Sequence, residues 1–151
     1  MKKVGVLIMF QLLFCSVFAF SQTQKTTPSQ WITVSDDEIA TISYDSNIVT
    51  NKYGKHFVWV KNVVHAPEWQ EYFTEMIGSR VPVVMTKTKA EYDEYYSIVR
   101  VRQVIFYSKA GKQLFNTGDS GNAGWGYVNA SDPVGIVGEY LGDLLSQTPN
   151  Y

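Results

Sequence analysis

His56-Phe57-Val58-Trp59-Val60-Lys61-Asn62-Val63-Val64 is the stretch on which the reading of this chain turns. Nine residues rich in valine and aromatics, with no glycine or proline, predict a strand. Side chains alternate across a strand, so Val58 and Val60 share one face and Phe57 and Trp59 the other, and both faces are expected to be covered in part. Upstream, Asn51-Lys52-Tyr53-Gly54 supplies turn chemistry. Before it come three shorter strand candidates, Trp31–Val34, Ile39–Tyr44 and Ile48–Thr50, separated by Asp36-Asp37-Glu38 and Asp45-Ser46-Asn47.

Downstream, Pro67 opens a helix. Trp69, Tyr72, Phe73, Met76 and Ile77 recur on one face of it, and Gly78 is placed to end it. Val81–Thr88 and Tyr95–Ser108 are the next strand candidates. In the second, Val99, Val101, Ile105 and Tyr107 are expected on a buried face, with Arg100 and Arg102 on a partly basic one. Ala110-Gly111 reads as a hairpin turn into Gln113–Phe115, and Gly118–Gly126 as a glycine-rich loop. The last helix is capped by Asp132 and begins at Pro133, with Val134, Val137, Leu141, Leu144 and Leu145 as its core stripe. The chain shows no internal repeat and no heptad pattern.

The first twenty-one residues have the layout of a secretory signal peptide: Lys2 and Lys3, an apolar run from Val4 to Phe20, and Ala19-Phe20-Ser21 at the cleavage site. A membrane anchor and acylation at Cys15 are the competing readings. Gln11, Cys15 and Ser16 interrupt the apolar run, and Phe14 stands where a lipidation site takes a small residue. Removing residues 1–21 from 151 leaves 130, which suits one domain. The expected division is a signal peptide at 1–21, a polar linker at 22–30, a single domain at 31–146 and a tail at 147–151.

The full chain holds 13 Lys and Arg against 14 Asp and Glu; without Lys2 and Lys3 the balance is 11 against 14, a net charge of −3. This disfavours nucleic acid as a bulk partner. Cys15 is the sole cysteine, so the exported part is expected to rely on its core and not on disulfides.

Several constellations could carry chemistry or binding. Gly118-Asp119-Ser120-Gly121 matches the tetrapeptide around the nucleophile of trypsin-like proteases, but such a site needs a histidine base and an orienting aspartate on a two-barrel scaffold. His65, Glu68, Glu71 and Glu75 offer an imidazole and three carboxylates at a helix entrance, with spacing that does not match a zinc site. Asp119, Ser120 and Asn122 are oxygen donors without the helix-flanked calcium loop. Arg100 and Arg102 project from one strand face and, with Lys61, Lys109 and Lys112, form a candidate anion-binding patch; cross-strand pairing with acids is the alternative. Trp59, Tyr92, Tyr95 and Tyr96 are a candidate aromatic contact surface, with core or sheet-covering packing the commoner role of such residues. Asn129-Ala130-Ser131 fits a glycosylation acceptor. No cofactor or metal is expected.

Trp31, the segment Ile42-Ser43-Tyr44-Asp45 leading to Ile48, and Lys52-Tyr53-Gly54-Lys55 running into Val58-Trp59-Val60-Lys61 resemble the first half of the surface-adhesin protein E family. Tyr95–Arg102, Tyr107-Ser108-Lys109-Ala110-Gly111-Lys112, Trp125 and Asp132-Pro133 to Glu139 are similar to its closing segment. Residues 65–90, with their helix, read as an insertion. The resemblance implies a small antiparallel sheet against a C-terminal helix, displayed on a bacterial surface and binding host matrix or plasma proteins.

The expectation is therefore an α+β domain, with an antiparallel sheet of about five or six strands, a C-terminal helix and an inserted helix. It is expected to be exported to the periplasm, cell surface or exterior, with no transmembrane segment in the mature chain. Its expected role is non-enzymatic binding of a protein or matrix component through a sheet face or edge bearing Lys61, Arg100 and Arg102. The alternatives are a periplasmic small-ligand carrier with a cavity lined by Phe57, Trp59 or tyrosines, or a structural envelope protein. A hydrolase using Ser120 or His65 ranks last.

Overall fold

The computed structural model describes residues 28–148; the signal-peptide segment, most of the linker and the last three residues lie outside that range. The fold is α+β: an open antiparallel sheet with two helices, one of them C-terminal. The elements run β1 (Trp31–Asp36), β2 (Ala40–Asp45), β3 (Val49–Thr50), β4 (His56–Val64), α1 (Pro67–Met76), β5 (Met85–Tyr92), β6 (Ile98–Tyr107), β7 (Gln113–Asn116), β8 (Gly126–Tyr127) and α2 (Pro133–Gln147). Six strands form the path β1-β2-β4-β5-β6-β7, while the two-residue strands β3 and β8 add to β4 and β6.

The opening stretch holds the centre. Across β4, Ile42, Asn62 and Thr86 align, as do Tyr44, Val60 and Thr88. Val58 and Val60 are fully buried and, with Ile42, Ala90 and Tyr92, form the core that receives Val134, Val137 and Leu141 of α2. Asp132 caps α2, its carboxylate accepting the Gly135 N–H at 2.8 Å. The Tyr92 hydroxyl donates to the Val134 carbonyl at 2.7 Å, tying the helix start to β5. A Cβ on Gly138 would stand 2.8 Å from the Tyr92 ring and 2.9 Å from Val128, so the absent side chain sets how closely α2 approaches the sheet.

Four expectations change. Burial along α2 stops at Leu141; Leu144 and Leu145 are exposed because the helix outruns the apolar surface that covers its first turns. None of the residues of α1 is buried, and Trp69, Tyr72 and Met76 are about half exposed. The helix is held by the Phe73 ring against Phe106, by the Gln70 amide donating to the Val64 carbonyl, and by the Thr74 hydroxyl accepting the Val83 N–H. Strand β5 starts at Met85 and not at Val81, since Pro82 has no N–H to give a ladder and the Val83 N–H is spent on Thr74.

The fourth change decides the site. Ala90 pairs with Val101 but Lys89 pairs with Gln103, so Arg102 is an extra residue in β6. Such a bulge resets the alternation. Val99, Val101, Val104 and Phe106 therefore face the helices, whereas Ile105 and Tyr107 share the opposite face with Arg100 and Arg102.

Candidate functional site

Both helices lie on one side of the sheet, which leaves the other side without a helical layer. Register places Trp31, Trp59, Lys61, Lys87, Lys89, Glu91, Arg100 and Tyr107 on this open face. It carries two arrangements of charge, which behave differently.

The first is internally neutralised. Glu91 is 4 % exposed, and its Oε2 accepts from Arg100 Nε at 2.7 Å and Arg102 Nη1 at 2.9 Å. Asp119 takes Arg102 through Oδ1 and Lys89 through Oδ2, each at 2.7 Å. Arg100 also donates to the Gly121 carbonyl and stacks on Trp125, and Arg102 lies over Phe57. Burial pushes the Glu91 carboxyl up, but the two guanidinium hydrogen bonds outweigh it and hold the group below its ordinary value. The Arg100 and Arg102 part of the expected anion patch is thus a partly buried ion-pair cluster, centred on Glu91, that pins the 118–126 loop to the sheet.

The second arrangement is unneutralised. Lys61 on β4 stands directly opposite Lys87 on β5. Lys61 Nζ lies 4.5 Å from the centre of the Trp31 ring, and Lys87 Nζ lies 5.4 Å from both the Trp31 and Tyr107 rings. Among the described residues neither ammonium has a carboxylate within ion-pairing distance. Burial, and then the neighbouring Lys87 charge, lower the Lys61 pKa. Beside the pair is a hollow of about 260 Å³ lined by Trp31, Asp45, Trp59, Lys87, Ile105 and Tyr107. The Asp45 carboxylate accepts the Asn47 N–H.

Lys109 and Lys112 sit apart from this pair, exposed in the β6–β7 turn, where the Ser108 N–H donates to the Lys112 carbonyl. Of the candidate aromatic surface only Trp59 is on the open face. Tyr92 and Tyr96 are core residues, and Tyr95 is exposed in the turn before β6. Phe57 and Trp59 face away from the helices and cannot line a cavity beneath them. Lys87 was not singled out from sequence; its signal was the alternation Lys87, Lys89 in the run Met85–Tyr92.

The remaining constellations are also placed. Asp119 is taken up by Lys89 and Arg102, and the Ser120 hydroxyl accepts the Asn122 N–H. His65 bonds Thr41, while His56 bonds Thr50 and stacks on Tyr96. Among the described residues no three His, Cys, Asp or Glu side chains are grouped to hold a metal ion, and no helix is long and apolar enough to cross a membrane. Comparison with protein-family models, curated proteins and solved structures finds no match to this chain.

Proposed function

We propose that this is an exported, non-enzymatic binding module whose open sheet face engages an acidic protein partner, of the kind displayed by host matrix or plasma proteins. The observation that carries this reading is the Lys61–Lys87 pair. Like charges directly opposite on neighbouring strands destabilise a sheet. Here two of them stand together, partly desolvated between Trp31 and Tyr107, while three neighbouring cations are satisfied by Glu91 and Asp119. A carboxylate seated between the two ammonium groups relieves their repulsion, and the tryptophan and tyrosine rings supply apolar contact beside it. The amino-terminal layout supports export, and the resemblance to the surface-adhesin protein E family points to the same class of partner.

Biolayer interferometry with residues 22–151 on immobilised matrix and plasma proteins tests the reading. Binding is expected to weaken with added salt and to fall at least tenfold in Lys61→Glu/Lys87→Glu, with the fold intact by circular dichroism. Binding by the double variant equal to that of the natural chain refutes the assignment.

A further inference from the structure

On the helix-covered side the sheet is incompletely filled. Between α1 and α2 lies a cleft of about 490 Å³, lined chiefly by apolar side chains including Ile42, Val64, Trp69, Phe73 and Ile136. A second cleft, of about 520 Å³, adjoins it, and the two share Asn62, Phe73, Asp132 and Pro133. Asn62 is 6 % exposed, on β4, on the face it shares with His56, Val58, Val60 and Val64. Its Oδ1 is buried and has no hydrogen-bond partner, and it is the one such side-chain atom among the described residues.

A valine-like residue would serve the core better than an unpaired amide, which costs free energy to bury. Asp37 and Asp132 contribute carboxylates to the same cleft. Both are committed, Asp37 to the Ile39 and Ala40 N–H groups and Asp132 to Gly135, so they add negative potential without offering a cation a free ligand set. One wall, α1, has no fully buried residue and is held through Phe73, Gln70 and Thr74, which places it among the less stable elements of the fold.

We infer that this cleft is a binding site for a small, uncharged and mainly apolar molecule carrying one hydroxyl or N–H donor, which the Asn62 Oδ1 accepts. The size is that of an ordinary ligand pocket, with a mainly apolar lining and a few polar groups, of which only the Asn62 Oδ1 is buried without a partner. The two carboxylates disfavour an anionic guest. The site is on the opposite side of the sheet from Lys61 and Lys87 and does not depend on the open-face reading.

Three matched probes test it by fluorescence titration and calorimetry on residues 22–151: 2-naphthol, 2-methoxynaphthalene, which lacks the donor, and 2-naphthoate, which is anionic. The expected result is saturable 1:1 binding of 2-naphthol, with the ether and the carboxylate each at least tenfold weaker. In Asn62→Leu the preference for naphthol over the ether disappears, and Ile136→Trp, which fills the cleft, abolishes binding of both. Absence of saturable naphthol binding, equal or tighter binding of the ether by the natural chain, or unchanged binding by Ile136→Trp overturns the inference. If Asn62→Leu does not fold, the naphthol-to-ether ratio of the natural chain and the Ile136→Trp result decide it.

Discussion

At the scale of single residues, Glu91 is the most consequential charge on the sheet. It is the common acceptor for two guanidinium groups and is itself almost wholly buried. Glu91→Ala leaves Arg100 and Arg102 facing each other, and is expected to cost about 3 kcal/mol in chemical denaturation. That is the low end for removing one partner of a buried ion pair, because both arginines keep some contact with solvent. The pH dependence has a definite sign. The native Glu91 pKa is below the ordinary 4.5, so its stabilisation is complete above that value and fades as the pH falls through the lower native one. Glu91→Gln is expected to flatten this acid limb of a stability–pH curve, and an unchanged limb would show that the cluster contributes nothing. Gly138 sets a different limit. A methyl there meets Tyr92 and Val128 at under 3 Å, so Gly138→Ala is expected to lower stability by roughly 1–3 kcal/mol through overpacking, despite its better helix propensity.

At the scale of elements, α1 and α2 differ sharply although their sequences look equally amphipathic. Helix α2 buries Val134, Val137 and Leu141, whereas α1 buries nothing and rests on Phe73. In hydrogen exchange the α1 amides are expected to exchange well before those of β4, β5 and α2, and Phe73→Ala to accelerate them further; equal protection of the two helices would contradict this. Both helix starts were legible, because Pro67 and the pair Asp132-Pro133 act locally, and so was β4, whose valines and aromatics specify a strand without outside help. The extent of α1's burial was not legible, since periodicity names the apolar face of a helix but not the distance to its neighbour. The Arg102 bulge was equally hidden: nothing local in Val101-Arg102-Gln103 announces an extra residue, yet it turns Ile105 and Tyr107 to the open face. Lys61 could be named from β4 alone, whereas its pairing with Lys87 is a matter of long-range register.

At the scale of the whole molecule, the sheet separates two environments. One side is closed by α2, partly roofed by α1, and leaves an apolar cleft around Asn62. The other presents a neutral, pinned half, where Glu91 and Asp119 hold Arg100, Arg102 and Lys89, and an unneutralised half at Lys61 and Lys87. Charge reversal in these halves is expected to have opposite consequences: at Arg100 and Arg102 it damages stability, and at Lys61 and Lys87 it damages binding while leaving the midpoint of thermal unfolding nearly unchanged. Amide NMR of residues 22–151, titrated with a glutamate-rich peptide at low and high salt, shows whether the open face is the contact surface. Salt-sensitive shifts are expected, centred on Trp31, Lys61, Lys87 and Tyr107, and absent in Lys61→Glu/Lys87→Glu. Shifts centred on the Lys109–Lys112 turn, or no shifts at all, would contradict an open-face contact.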